Sequence, residues 1–167
     1  MHTIGIRVGR GNSPRPAHRK MNAIHFYRTS EPYGEFSNFS AHPIFLKGVL
    51  WPTTEHYFQA QKFEGTPRAE EIRKTESPMV AARMGRSRKH PLRPDWESVK
   101  DEVMMEALRA KFLQHLPLAD LLLSTGDAEL VEHTSNDRYW ADGGDGTGRN
   151  RLGQLLMELR TELGACR

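Results

Sequence analysis

The sequence predicts a mainly helical α+β fold, built as a single compact domain with a few short β-strands. Three observations favour this class. A chain of 167 residues is long enough to bury one sizeable core. Helix-start signals, in which a capping side chain precedes an apolar periodic segment, recur through most of the chain. The strand-like segments are short and do not alternate with helices, as βαβ units would require.

The strand-like segments lie at the beginning of the domain and late in the chain. Ile24–Tyr27 predicts a first short strand. Ile44–Leu46 and Val49–Trp51 flank a Lys-Gly pair, which is typical of a tight hairpin turn. Residues 128–134 alternate weakly between apolar and polar side chains and predict a late strand.

The helices are marked by their caps and by proline and glycine. Pro52 ends the hairpin, and Thr53 or Thr54 can cap the first helix. Gly85 is expected to end a short helix, and Asp95 to cap the longest one, whose apolar line makes it the central core helix. The helices after the first begin at Thr66-Pro67 and Ser77-Pro78 and cover about 95–115, 117–123 and 152–164.

The basic character of the chain belongs to its N-terminal segment. The sequence has 24 basic and 21 acidic residues, and residues 1–24 contain five of the basic ones and no acid. The remaining body has 19 basic against 21 acidic residues, a net charge of −2. We therefore expect residues 1–23 to form a basic, disordered extension and residues 24–164 to form the domain. Met21 is an alternative start. Contact of the extension with nucleic acid is an alternative that the charge of the body does not favour.

Composition excludes several classes of protein. No apolar run approaches the roughly 20 residues of a membrane span, and the N-terminus lacks the apolar segment of a secretion signal. Cys166 is the single cysteine, which excludes an internal disulfide and a cysteine-based metal site. The eight histidines are scattered, so we expect no metal and no cofactor. We expect a cytoplasmic protein with no membrane partner.

A polar stripe on the first helix is the strongest local sign of function. Glu55, Gln59 and Lys62 fall at i, i+4 and i+7 and therefore share one helix face. Bulky aromatic residues interleave with them, so much of this helix is expected to be buried. Buried charges need partners or a function. The alternative is a Glu–Lys ion pair on an exposed helix face, and the stripe alone does not decide between the two.

Two further segments suit a phosphorylated, base-bearing ligand. Residues 77–94 contain five basic residues and no acid, so an anion site competes with a solvated loop as the interpretation. Residues 143–148 contain four glycines, which can bring backbone N–H groups close to a ligand. Asp137 and Trp140 precede this loop at i, i+3 and share one side of a turn. Arginine would bind phosphate, tryptophan would stack on a ring, and a carboxylate would stabilise a developing cation.

Several motifs occur in a fixed order along the chain. The most specific are Glu55-His-x-Phe-Gln-Ala and Gly148-x-Asn-x-Leu-Gly. The others are Ser37-Asn38-Phe39, Ala82-x-x-Gly85-Arg86, Arg93-x-Asp95-Trp96, Met105-x-x-Ala-x-x-x-Lys111-Phe112, Asp137-x-x-Trp140 and Leu156-Met157-x-x-Arg160. Together they resemble the YbiA-like, or NADAR, family over about Phe26 to Leu163.

The resemblance implies an N-glycosidase. Bacterial members are similar to enzymes that cut the bond between ribose phosphate and an aminopyrimidine in early riboflavin-pathway intermediates, which releases ribose 5-phosphate. Other members are similar to hydrolases that remove ADP-ribose from guanine bases of nucleic acid. A module that binds NAD or ADP-ribose without turnover is a third alternative. The implied partner is a small phosphorylated ribosyl compound.

The resemblance also implies a set of site residues. Glu55 is the candidate catalytic carboxylate beside the ribosyl C1′ atom. Asp137 is the second catalytic carboxylate, which either orients the ribose hydroxyls or shares the acid–base work. Lys62 and Arg86 are expected to bind phosphate, with Arg93 as a further candidate. The other expected substrate-binding residues contact the base, wall the pocket or hydrogen-bond the ligand: Asn38, Gln59, Trp96, Trp140 and Asn150.

Overall fold

A computed structural model describes residues 22–167, and this part of the chain forms six α-helices, four short β-strands and one 3-10 turn. The predicted α+β class is confirmed. Most of the extension predicted over residues 1–23 lies outside the described residues. No helix in the described part is long and apolar enough to span a membrane. The elements are β1 (Ala23–Phe26), the 3-10 turn (Gly34–Phe36), β2 (Ile44–Leu46), β3 (Val49–Trp51), α1 (Thr54–Gln61), α2 (Pro67–Arg73), α3 (Pro78–Arg86), α4 (Trp96–Gln114), α5 (Leu116–Ser124), β4 (Glu129–Glu132) and α6 (Arg151–Ala165).

The four strands form two separate pairs. β1 and β4 run parallel, with Phe26 opposite Glu132, and so join the beginning of the domain to its late segment. β2 and β3 form the predicted antiparallel hairpin. Lys47 and Gly48 at its tip have φ angles of 53° and 80°, the left-handed conformation that a two-residue hairpin turn requires.

The first helix and the long helix α4 form the centre of the core. α1 packs against α2, α3 and α4, while α4 also contacts α5 and α6. The apolar line predicted for α4 faces the core, where Ala107, Leu108 and Phe112 are buried completely. Every residue of α1 is buried as well, including the polar ones. A polar face at the centre of the molecule needs internal partners or a ligand cavity.

Two expected helix boundaries differ in the structure. Gly85 lies inside α3, which continues to Arg86, and does not cap its C-terminus. Its missing side chain instead allows α1 and α3 to approach each other closely. Asp95 precedes α4 but makes no capping bond with its side chain. Its carboxylate pairs with Arg93 at 2.6 Å, since that guanidinium is a stronger partner than a backbone N–H.

Candidate active site

A cavity of about 970 Å³ opens beside the buried polar face of α1. Its walls come from α1, α3, α4, the segments after β1 and before β2, and the segment that contains and follows the end of β4. Its volume suits a ligand of nucleotide size. Apart from the further candidate Arg93, nine site residues were expected, and seven of them line the cavity: Asn38, Glu55, Gln59, Lys62, Arg86, Asp137 and Trp140.

The start of α1 positions Glu55 in the cavity wall. Thr53 caps the helix, and its hydroxyl accepts a hydrogen bond from the backbone N–H of His56 at 3.2 Å. Glu55 then lies in the first turn, where the unpaired N–H groups of a helix favour negative charge. One turn later, the Gln59 amide donates to the Glu55 carboxylate at 2.7 Å. The stripe of Glu55, Gln59 and Lys62 thus faces a cavity and does not lie on an exposed helix surface.

The Glu55 carboxyl balances opposing electrostatic effects. Only 7% of the residue is exposed, and burial raises its pKa. The Gln59 hydrogen bond and the charges of Lys62 and Arg86 act in the opposite direction, whereas Asp137 adds to the rise. Within residues 22–167 the carboxylate accepts one side-chain hydrogen bond and forms no ion pair within 4 Å. It therefore retains acceptor capacity for a ligand or a water molecule.

Lys62 and Arg86 supply positive charge to the cavity. Lys62 Nζ donates to the Gly85 carbonyl at 3.4 Å and lies 5.7 and 5.8 Å from the ring centroids of Phe58 and Trp96. Burial, aided by a neighbouring arginine, lowers the pKa of Lys62 to about 8. Arg86 is exposed at the wall. Neither cation has a carboxylate within 4 Å in the described part of the chain, so both can accept an anionic group.

The close contact between α1 and α3 positions Gln59. A β-carbon added at Gly85 would lie 1.9 Å from Gln59 Oε1 and 2.9 Å from its Cβ, so any larger residue there would require Gln59 to move. Gln59 Oε1 is buried and has no hydrogen-bond partner among the described residues. Buried polar atoms are nearly always hydrogen-bonded. An unpartnered amide oxygen in a cavity wall is suited to accept a bond from a ligand.

Asn38 is tied to the beginning of α1. Its side-chain oxygen accepts from the Thr54 hydroxyl at 2.9 Å, and its backbone carbonyl accepts from the Glu55 N–H at 3.2 Å. Its amide nitrogen lies 3.4 Å from Met104 Sδ, a weak acceptor. Asn38 can therefore donate to a ligand while it holds the helix terminus that carries Glu55.

A buried lysine anchors the segment on either side of Asn38. Lys111 is completely buried, and its Nζ donates to the Ser37 carbonyl at 2.9 Å and to the Ser40 hydroxyl at 2.7 Å. Burial lowers the pKa of Lys111 to about 7, and the more distant charge of Glu35 opposes that change. The hydrogen bonds of this side chain thus fix the loop that reaches the cavity.

Asp137 and Trp140 share a local turn, as their spacing predicts. Asp137 Oδ1 accepts from the backbone N–H groups of Tyr139 at 2.8 Å and Trp140 at 2.6 Å, which is typical of an Asx turn. Oδ1 is committed to this turn, so Oδ2 is the oxygen with capacity for a ligand. The half-buried Trp140 ring meets Phe58 edge to face, with centroids 5.2 Å apart.

Trp96, expected to contact the base or wall the pocket, and Asn150, expected to hydrogen-bond the ligand, are not among the residues that line the cavity. Trp96 packs on Phe58 with ring centroids 5.1 Å apart and thus supports the wall. Asn150 Nδ2 donates to the Leu130 carbonyl at 2.8 Å, and its Oδ1 accepts from the Glu132 N–H at 3.0 Å. Both side chains support residues of the site because their polar or aromatic groups are occupied by protein contacts.

Of the five basic residues in 77–94, only Arg86 lines the cavity. Arg93 is paired with Asp95 at 2.6 Å and with Glu64 at 2.7 Å, which leaves it outside the site. Arg28, from the segment after β1, is a cavity-lining cation that the sequence motifs do not include. The cations that line the cavity thus come from three separate segments, and the basic stretch contributes only Arg86.

Glu132 is a cavity-lining carboxyl that the sequence motifs also omit. It ends β4 two residues after the completely buried Leu130, and side chains two positions apart on a strand share a face. Burial raises the pKa of Glu132 to about 8, with contributions from the charges of Glu55, Asp137 and Asp142. The signal in the sequence is the alternation of β4, which turns this glutamate towards the core side.

One group of potential metal ligands lies outside this cavity. His25, His133 and Asp142 have ligand atoms within 4.8 Å of one another. His133 Nδ1 and Asp142 Oδ2 are already 2.7 Å apart and hydrogen-bonded, and Asp142 Oδ1 also accepts from the Gly144 N–H at 2.8 Å. These bonds hold the loop after β4 in place, so His133 and Asp142 have a structural role in the protein itself.

Comparison with known protein families identifies the family of this protein. The model of the NADAR domain matches residues 25–164, almost all of the described part of the chain. The chain therefore belongs to the NADAR family, and the resemblance expected from its motifs is confirmed.

Individual relatives agree with this assignment. The chain is 65% identical over 140 residues to N-glycosidase YbiA of Escherichia coli (strain K12). The aligned region covers 84% of this chain and 88% of that protein. It is 46% identical over 140 residues to a riboflavin biosynthesis protein of Vibrio vulnificus (strain YJ016), covering 84% of this chain and 38% of that longer protein. The NMR structure of the E. coli protein YbiA is similar with a TM-score of 0.81, 61% identity and 90% coverage of both chains.

Proposed function

We propose that this protein is an N-glycosidase that hydrolyses the ribosyl C1′–N bond of phosphoribosylamino-pyrimidine intermediates of riboflavin biosynthesis and releases ribose 5-phosphate. The names of its relatives, N-glycosidase and riboflavin biosynthesis protein, support the reaction and the substrate class. The observation that carries the proposal is the buried Glu55 carboxylate in a cavity of nucleotide size that also contains Lys62 and Arg86.

Glu55 suits the chemistry at C1′. As the C1′–N bond breaks, positive charge develops on C1′ and its ring oxygen. A carboxylate beside C1′ stabilises that charge and accepts a proton from the attacking water. Burial raises the pKa of Glu55, and the bond from Gln59, the nearby cations and the first-turn position oppose that rise and favour the ionised form that both tasks need.

The remaining groups of the cavity suit the other parts of such a substrate. Lys62 and Arg86, which have no carboxylate within 4 Å among residues 22–167, are the cations available for the 5′-phosphate. Asp137 Oδ2 and the orphaned Gln59 Oε1 can accept hydrogen bonds from ribose hydroxyls. Trp140 offers an aromatic edge and face for the pyrimidine.

A substrate panel tests the proposal. The purified protein is incubated with a phosphoribosylamino-pyrimidine, with an oligonucleotide bearing ADP-ribosylated guanine, and with ADP-ribose alone, and released sugar phosphate or ADP-ribose is measured by chromatography. We expect turnover of the first compound with release of ribose 5-phosphate. Turnover of the oligonucleotide alone would replace this substrate with an ADP-ribosylated base, and binding of ADP-ribose without any turnover would contradict the enzymatic proposal.

A further inference from the structure

The backbone of Glu132 is held in place in the candidate active site, but its carboxyl group makes no hydrogen bond to the described residues. Its backbone N–H donates to Asn150 Oδ1 at 3.0 Å, and its carbonyl accepts from the Asp142 N–H at 2.9 Å. These bonds fix the end of β4, whose side-chain alternation directs Glu132 into the cavity that Glu55 and Asp137 also line. Within residues 22–167 the carboxyl itself has neither a hydrogen-bond partner nor an ion pair within 4 Å.

The charges around Glu132 differ in sign from those around Glu55. Its charged neighbours are Glu55 of α1 and Asp137 and Asp142 of the segment after β4, and all three are carboxylates. Glu55, in contrast, receives a hydrogen bond from an amide and is influenced by two cations. Two carboxyl groups in such different environments have different pKa values.

When Glu55 and Glu132 hold one proton between them, that proton therefore resides on Glu132. Burial raises the pKa of both carboxyl groups, but at Glu55 an amide hydrogen bond and two cations oppose the rise, whereas at Glu132 the neighbouring carboxylates add to it. In agreement with this, burial and the neighbouring carboxylates raise the pKa of Glu132 to about 8. His133 pairs with Asp142 at 2.7 Å and lowers the pKa of that carboxyl, so Asp142 stays ionised and maintains the repulsion.

We infer that Glu132 is a further catalytic residue of this site, the general acid that protonates the departing nitrogen. The inference rests on the proposed N-glycosidase function. In the step, the C1′–N electron pair moves to the nitrogen, which takes the proton of Glu132 and leaves as a free amine. Water adds its oxygen to C1′ and gives one proton to Glu55. Return of that proton from Glu55 to Glu132 restores both groups after product release.

Dependence on the leaving group tests this role. Glu132→Gln keeps the size and polarity of the side chain but cannot transfer a proton. We expect the variant to lose about 10²- to 10⁴-fold in kcat on a phosphoribosylamino-pyrimidine, the usual range for general acid–base catalysis. It should lose far less on 4-nitrophenyl ribofuranoside 5-phosphate, because nitrophenolate leaves without protonation. The matched control is Glu129→Gln, an exposed glutamate of the same strand outside this cavity.

The pH profile supplies a readout that a structural role would not change. The wild-type kcat should fall at alkaline pH as the acid loses its proton, and Glu132→Gln should lack this limb. Equal losses on both substrates, or an unchanged kcat and profile, would overturn the inference. If Glu132→Gln does not fold, as judged by circular dichroism, Glu132→Asp replaces it: a lower kcat with the alkaline limb retained supports the acid, and an unchanged kcat opposes it.

Failure of the proposed function gives a different result. If the wild type turns over neither substrate, that function is wrong irrespective of the Glu132 variants. The Glu132 carboxyl is then titrated by carbon-13 NMR, with its signal assigned by its loss in Glu132→Gln. A midpoint above neutral pH supports a proton-holding acid in the cavity, and a midpoint near the ordinary glutamate value of about 4.3 overturns it.

Discussion

Replacing Lys111 by methionine should remove a pH-dependent part of the protein's stability. Lys111 is completely buried, and no carboxylate lies within 4 Å of it in the described part of the chain. Burial lowers its pKa from 10.5 to about 7. Between these values the unfolded chain holds a proton that the native state has released. The free energy of unfolding therefore rises with pH across this window.

The size of this effect follows from the two pKa values. Each unit of difference corresponds to about 1.4 kcal/mol, so the full window is worth roughly 4 to 5 kcal/mol. Between pH 7 and 9.5 the contribution of Lys111 should increase by about 3 kcal/mol. Methionine has a side chain of similar length and no titrating group. The free energy of unfolding of Lys111→Met should therefore lack this increase with pH, whatever the stability of the variant at pH 7.

Urea unfolding at several pH values between 7 and 9.5 measures the effect. The wild type, Lys111→Met and Lys89→Met are compared, because Lys89→Met is the same substitution at an exposed position. The difference in unfolding free energy between the wild type and Lys111→Met should grow with pH, and the difference for Lys89→Met should stay flat. Parallel pH dependences of the wild type and Lys111→Met would refute a neutralised buried lysine.

Two further changes test the packing and charge of the site. Gly85→Ala should displace Gln59 and weaken its bond to Glu55, so kcat should fall. The free energy of unfolding, measured with urea, should decrease by about 0 to 2 kcal/mol, because an overpacking cost of about 1–3 kcal/mol is partly offset by the higher helix propensity of alanine. Gly164→Ala is the control, since its added carbon would come no closer than 3.9 Å to Leu123, and unchanged kcat in both variants would contradict this packing account. Lys62→Met should raise KM for the phosphorylated substrate about 10- to 100-fold. Wild-type KM should rise above pH 8 as the lysine loses its charge, and an identical rise in the variant would exclude Lys62 as its cause.

The polar stripe of α1 could be predicted because helix periodicity is a local property. Glu55, Gln59 and Lys62 share a face whenever this segment is helical, and the aromatic residues between them indicate that the helix is buried. The Lys-Gly hairpin tip and the Asp137 turn are also encoded within a few residues. The stripe and the Asp137 turn account for five of the expected residues that line the cavity: Glu55, Gln59, Lys62, Asp137 and Trp140.

The remaining differences arise from contacts between segments distant in the chain. Gly85 was expected to end a helix, but its role depends on the Gln59 side chain of α1, whose Oε1 would lie 1.9 Å from an added β-carbon. Asn150 and Trp96 belong to the same motifs as cavity residues, yet their side chains are occupied by β4 and Phe58. A motif identifies residues that act together but does not separate ligand contacts from their supports. The alternation of β4 indicates which way Glu132 points, but the pairing of β1 with β4, two segments distant in the chain, is not contained in any local pattern.

The central claim, that Glu55 is the catalytic carboxylate of an N-glycosidase, is tested most directly by Glu55→Gln. This variant keeps the size of the side chain and removes its charge, and Glu102→Gln on the exposed face of α4 is the matched control. Release of ribose 5-phosphate from a phosphoribosylamino-pyrimidine is measured under single-turnover conditions after circular dichroism confirms folding. We predict a loss of at least about 10²-fold in the chemical step for Glu55→Gln and none for the control. A folded Glu55→Gln protein that releases ribose 5-phosphate at the wild-type rate would contradict the claim.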